Sequence, residues 1–312
     1  MFDVVVIGGG PAGLAAALSL GRTHRRALLL DAGEGRNNPA DAMHNFVTRD
    51  GTPPADFRRI ARAELDAYPT IQMRRGAVAT VSAAAAGGFE VSLAQGDRVT
   101  ARRLLLATGL ADELPGIPGL AELWGRSAFH CPYCHGFECT GRPVAVLGSA
   151  MPRVRLALQL SRFAGDVVLC TNGGALPEDL RNILKDNGVA VREEFISHVD
   201  GEAGKLDRIV FESGPPLARD AVFVENVAVQ RSDLAEQLGC AVLSDGCVEV
   251  DEFGRTSVSG VYAAGDTAHR ATVPMPVAAV IAAAAAGTVA AGVVDQDLLS
   301  EDFALPNPFG RG

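Results

Sequence analysis

The chain has 312 residues, 48% hydrophobic and 21% charged, which suggests about two globular domains and excludes a disordered chain. Its net charge of -9, with no block of Lys or Arg, argues against nucleic acid as a partner and reads as solubility. Six cysteines in so long a chain do not suggest a secreted disulfide framework.

Residues 2–7 form an apolar run that ends in glycines and is predicted to be a buried parallel strand. Gly8-Gly9-Gly10-Pro11-Ala12-Gly13 satisfies G-x-G-x-x-G. Gly8 permits the tight turn, Gly10 lets the backbone approach a pyrophosphate, and Gly13 lets helix and strand pack closely. Residues 11–21 are Ala/Leu-rich and predicted helical, with the helix N-terminus facing the phosphates. A second buried strand, 27–31, ends on Asp31, where a ribose hydroxyl acceptor is expected. The motif starts so early that no room is left for a signal peptide ahead of the first strand, and a cytoplasmic location is expected.

Residues 103–108 read as another strand, ending at Thr108-Gly109. Leu114-Pro115-Gly116-Ile117-Pro118-Gly119 reads as a crossing between domains. Residues 143–147, 151–163 and 167–170 then repeat the strand–helix–strand order. A late strand, 261–264, leads into Gly265-Asp266. The run Val277–Val294 reaches transmembrane length, but it is mostly Ala and lacks an aromatic belt. It is expected to be a buried C-terminal helix entered through Pro276 at its first position, and no membrane partner is expected. The chain is therefore read as α/β, with two Rossmann-like dinucleotide-binding domains, the second inserted into the first. The first comprises 1–113 and 244–312, and the insert spans 114–243.

Cys131-Pro132-Tyr133-Cys134 is the one cysteine pair with a motif spacing. Two residues between them let both sulfurs share one turn and close a disulfide. A thiolate at a helix start near a His has a lowered pKa. Cys-x-x-Cys-His also matches c-type haem attachment, which needs export. Zinc would want a second ligand pair, and the adjacent His130 and His135 rarely converge on one tetrahedron. A redox dithiol is favoured and no metal site is expected. The other four cysteines read as packing residues.

Leu106-Ala107-Thr108-Gly109 and Gly260–Asp266 resemble the Ala-Thr-Gly and Gly-Asp signatures of two-dinucleotide-domain flavoproteins. The resemblance implies FAD, with Asp266 at its ribityl–phosphate region. The order of FAD motif, Cys-x-x-Cys, second nucleotide domain and Gly-Asp motif resembles the low-molecular-weight thioredoxin reductases over nearly the whole chain. The string His130–Glu138 departs from them: they carry Asp directly after the second Cys, and this chain has His135. With Met43-His44-Asn45 upstream, it looks more like the gliotoxin and holomycin dithiol oxidase branch. The resemblance implies that Cys134 is the flavin-proximal thiol and Cys131 the exchange thiol. It puts His135 in the general acid/base position, where an ordinary pKa near 6.5 suits proton transfer. It also implies that Asn45 contacts FAD, that the start of the last helix, at Ala279, points at the flavin, and that the protein is a homodimer. His130 and His269 are expected to be structural.

The second phosphate loop reads Gly148-Ser149-Ala150-Met151-Pro152-Arg153, in which only the first glycine of the motif survives. Where the reductases place His-Arg-Arg to grip the NADPH 2′-phosphate, Cys170 is followed by Thr171-Asn172-Gly173. Their Arg-Gln-Ala near the last helix aligns with Ala278-Ala279-Val280. These departures point to a vestigial or absent nicotinamide site. The favoured function is oxidation of a small-molecule or peptide dithiol by FAD and O₂. An NADPH-dependent reductase acting on a thioredoxin-like protein, and a non-catalytic flavin redox sensor, are the alternatives.

Overall fold

A computed structural model describes residues 1–85 and 87–310. The chain divides into two compact units: Met1–Arg36 with Ala55–Ala111 and Val229–Gly312, and Asn37–Pro54 with Asp112–Ala228. Both are α/β units built on a mainly or wholly parallel sheet.

The first unit runs β1 (Phe2–Ile7), α1 (Pro11–Arg22), β2 (Ala27–Asp31), α2 (Pro54–Leu65), β3 (Ile71–Arg75), β4 (Val78–Ala83), β5 (Phe89–Leu93) and β6 (Arg98–Leu106). Its sheet has the order β3-β2-β1-β6-β5-β4, and the late strand Val261–Ala263 also pairs with β6. Strands β3, β2, β1, β6 and the late strand are parallel, while β4 and β5 are antiparallel. β1 shows why its sequence is continuously apolar. Val4 and Val6 enter one core with α1 and the C-terminal helix, and Val5 and Ile7 enter the core on the opposite face.

The C-terminal helix spans Val280–Phe303 and buries Ala283, Gly287, Ala290, Ala291, Val293, Val294 and Leu298. It packs on α1 so closely that Gly287 lies against the backbone of Ala12. The helix is long and apolar enough to cross a membrane by length and composition, but its buried face belongs to the core of this unit. It starts at Val280 rather than at Pro276. Short bends from Ala278 N–H to the Pro276 carbonyl and from Ala279 N–H to the Val277 carbonyl occupy the intervening residues.

The second unit contains β7 (Ala128–Phe129), α3 (Pro132–His135), β8 (Pro143–Leu147), α4 (Met151–Leu160), β9 (Asp166–Cys170), α5 (Glu178–Asp186), β10 (Ala190–Arg192) and β11 (Ala221–Phe223). Its parallel sheet has the order β10-β9-β8-β11-β7. An antiparallel hairpin, Ile196–Glu202 with Lys205–Phe211, covers one face. The boundaries differ from those read in the sequence. Residues 229–243 belong to the first unit, where Leu234, Ala235 and Cys240 pack with Val5 and Leu104. Residues 37–54 belong to the second, where Pro39 packs at Gly125.

Candidate functional site

In the first unit the carboxyl ends of three parallel neighbours, β1, β6 and Val261–Ala263, carry the three sequence signatures. That end of a parallel sheet is where α/β proteins hold nucleotides. Gly8 has φ +116, and a side chain there would strike the Ala107 carbonyl; a Cβ at Gly13 would strike the carbonyl of Gly8. At Gly10 the space where a Cβ would stand is open, and Gly10 caps α1 with Pro11 in its first turn. Bare N–H groups at a helix start beside open space are what a pyrophosphate needs. A Cβ on Gly265 would lie 2.9 Å from that of Ala12, so the Gly-Asp segment rests on the start of the same helix.

Asp31 ends β2, where its carboxylate pairs with Arg62 and accepts the Gly33 N–H at 3.0 Å. A carboxylate has about four lone-pair positions, so capacity for a ribose hydroxyl remains. Thr108 Oγ1 lies 3.2 Å from Thr267 Oγ1, which donates to Gln230 Oε1 at 2.7 Å. Gly109 is left-handed, and Asp266 pairs with Arg36 at 2.9 Å. Ala279 is the N-cap of the C-terminal helix and offers no side-chain cap. This donor set fits the pyrophosphate and ribityl portions of FAD. Asn45 belongs to the second unit, in a left-handed conformation with its N–H on Asp50 Oδ1.

In the second unit Cys131 and Cys134 form a disulfide across α3, with Cα atoms 5.3 Å apart. Cys131 is the N-cap and Pro132 sets the first turn, so two residues of helix bring the sulfurs to one side. Tyr133 and Phe137 are exposed beside the pair, at 70% and 83%. His135 is the last residue of α3, and its ring stacks on Phe129 with centroids 4.4 Å apart. Nε2 of His135 is buried and has no hydrogen-bond partner among the described residues. Burial, with help from His44 and His130, drives its pKa down to about 4. The imidazole is therefore neutral at pH 7, a weaker base than the group titrating near 6.5 that the sequence led one to expect. His44 stands edge-on to it at 6.3 Å, with its own ring nitrogens 3.5 Å from Asp50 and from Glu138. His130 stacks on Trp124.

The second nucleotide loop differs from the first in one decisive residue. Arg153 occupies the position of the third glycine, and its side chain folds back over Gly148 and donates to the Val224 carbonyl at 2.9 Å. Two arginines of this unit face carboxylates: Arg181, on α5, meets Glu193 at 2.6 Å, and Arg192, at the end of β10, meets Glu194 at 2.8 Å. The Arg192 partnership holds Glu194 down at about 2. Phe195 covers Gly173. The roles of Phe129 and Arg153 were missed in the sequence. Counting 148, 150, 153 through the loop would have located Arg153; no sequence signal locates Phe129.

The pyridine nucleotide-disulphide oxidoreductase pattern matches residues 2–287. Thioredoxin reductase tcpT of Claviceps purpurea is 36% identical, covering 85% of this chain and 86% of its own length. Thioredoxin reductase sirT of Leptosphaeria maculans is 34% identical, covering 97% and 96%. The crystal structure of HlmI superposes with a TM-score of 0.89 at 39% identity, covering 97% of this chain and 94% of HlmI. The family binds FAD, and NAD(P)H use is typical of it. With its paired glycine signatures and cysteine pair, this chain belongs to the pyridine nucleotide-disulphide oxidoreductases, as a thioredoxin reductase-like oxidoreductase.

Proposed function

We propose that the chain is an FAD-dependent dithiol oxidase acting on a small-molecule or peptide dithiol. The observation that carries this reading is the second phosphate loop, where Arg153 takes the third glycine's place and leaves no smooth backbone cradle for a pyrophosphate. Arg181 and Arg192 are engaged by Glu193 and Glu194, so a 2′-phosphate would have to displace a carboxylate. The likeness to holomycin-related HlmI supports the same branch.

In this reading one substrate thiolate attacks the Cys131 sulfur, breaking the Cys131–Cys134 bond and releasing the Cys134 thiolate. The second substrate thiol then displaces Cys131, and product leaves as a disulfide. The protons of these thiols leave to solvent, and His135, neutral at pH 7, acts as the acid/base group only when the charge of the released Cys134 thiolate raises its proton affinity. Gly10, Pro11, Ala12, Thr108, Asp266 and Ala279 would hold FAD, which supplies a two-electron acceptor for the reduced pair and a route to O₂ that yields H₂O₂. Exposed Tyr133 and Phe137 favour an apolar or aromatic substrate. A cytoplasmic homodimer is the accompanying expectation.

The names of tcpT and sirT favour a second reading, an NADPH-dependent reductase. Anaerobic stopped-flow reduction of the bound flavin separates the two. A dithiol should reduce it quickly and saturating NADPH slowly or not at all. Loss of two charged phosphate contacts, each roughly 1.5–3 kcal/mol, weakens binding by on the order of a hundredfold or more. Rapid reduction by micromolar NADPH would sink the oxidase reading.

A further inference from the structure

Behind the Gly-Asp segment of the first unit, Asp245, Cys247 and His269 bring one ligand atom each within 4.8 Å of one another. They come from two strand pieces that pair in parallel, Val248–Glu249 with Ala268–His269. Each donor is held by a bond of its own. Asp245 Oδ1 accepts the Cys247 N–H at 3.0 Å, which turns Oδ2 toward Nε2 of His269, 2.8 Å away. Nδ1 of His269 lies 3.0 Å from the Arg270 carbonyl. A carbonyl can only accept, so Nδ1 carries a proton, and Nε2 is the nitrogen turned toward Asp245.

Nε2 and the carboxylate oxygen stand 2.8 Å apart, a distance that needs something positive between or beside them. A proton would do it, and so would a metal ion. The buried sulfur of Cys247, 3.9 Å from the Asp266 carbonyl, is the third donor, which a simple ion pair has no use for. Sulfur, imidazole and carboxylate together are the ligand types of zinc. A His whose far nitrogen is anchored on a backbone carbonyl is the usual outer-sphere arrangement of such sites. Cys247 is buried and the His269 side chain nearly so, while Asp245 is partly exposed and leaves an entry and a fourth position for water.

We propose that Asp245, Cys247 and His269 form a zinc site that clamps the 245–247 turn to the segment following Gly265-Asp266. Binding would convert the Cys247 thiol to a zinc-bound thiolate and release its proton to solvent. The site lies within one unit and does not depend on the dithiol oxidase reading.

The test is a titration of tag-free, FAD-loaded, fully oxidised protein, in which Cys131 and Cys134 are locked as a disulfide. Zn²⁺ is titrated in competition with a chromogenic chelator at neutral pH, and Co²⁺ is added separately. One equivalent of Zn²⁺ should bind at micromolar concentration or tighter, and Co²⁺ should give tetrahedral bands in the red, beyond the flavin absorption. Cys247→Ser and His269→Asn should each weaken Zn²⁺ binding by more than about a hundredfold, beyond the loss seen when only an outer partner is removed. Asp245→Asn is the variant expected to fold in any case, because its amide can donate to Nε2 and its oxygen can keep the Cys247 N–H. It should likewise lose the red bands. Absence of a stoichiometric site, or binding that survives all three substitutions, would overturn the proposal and leave an imidazolium–carboxylate pair only.

Discussion

Two glycines in the C-terminal helix should respond to the same substitution with opposite signs. Alanine is worth about 1 kcal/mol more than glycine in a helix interior. At Gly292 the space for a Cβ is open, so Gly292→Ala should gain about 0.5–1 kcal/mol. At Gly287 the new Cβ would stand 2.7 Å from the Ala12 carbonyl carbon and 2.9 Å from its Cα, and closer still to its oxygen. Backbone cannot swing aside as a side chain can, so the two helices must part. Overpacking of this kind costs about 1–3 kcal/mol, which outweighs the propensity gain. The propensity gain is common to both, so the variants should differ by about 1–3 kcal/mol, or thermal midpoints roughly 2–12 °C apart. Because Ala12 lies in the nucleotide loop, Gly287→Ala should also release FAD more readily. Calorimetry at saturating FAD and flavin fluorescence after gel filtration would read both effects. A Gly287→Ala protein as stable as Gly292→Ala, with full flavin, would refute the packing argument.

On the proposed thiol roles, Cys131→Ser should show a long-wavelength charge-transfer band that Cys134→Ser lacks; the reverse pattern would exchange the roles. Ala279→Asp places an acceptor at a helix N-cap and should stabilise the helix by about 0.5–2 kcal/mol. Its charge should lower the flavin reduction potential in a spectroelectrochemical titration, and an unchanged potential would remove this helix end from the flavin site. His135 takes its proton near pH 4 when folded and near 6.5 when unfolded. The unfolded chain thus binds more protons between those values, and His135 makes stability fall as pH drops through that window and no further below it. The span is at most roughly 3 kcal/mol. Urea midpoints of wild type and His135→Phe should diverge with pH by that trend, and parallel curves would contradict the burial argument.

The strand–helix–strand units were legible because strands buried on both faces must be apolar throughout, and because Gly8 and Gly13 have no substitute where backbones nearly touch. The Cys131–Cys134 pairing was legible from its spacing together with the flavin-domain signatures around it, since the spacing by itself also matches haem attachment and zinc. The parts that were not legible depend on residues distant in the chain. Residues 37–54 join the second unit through contacts such as Arg126 with Asp41, which no local pattern announces. His135 is a depressed base because of its burial and because His44, ninety-one residues earlier in the chain, stands beside it. Pro276 carried a true signal for a helix start at the wrong place, since bends at 276–279 intervene before Val280.

The remaining buried thiols bear on how such a protein survives its own chemistry. Burial pushes Cys139 up to about 11 and Cys170 to about 12. At pH 7 a thiol at about 12 is ionised in roughly one molecule in 10⁵, and it is the thiolate that attacks peroxide and disulfides. An enzyme that releases H₂O₂, as proposed above, is the first target its product meets. Under native conditions a thiol-alkylating reagent should therefore label the reduced 131/134 pair and spare Cys139 and Cys170. Overoxidation should likewise be confined to the two sulfurs that turnover itself keeps returning to the disulfide.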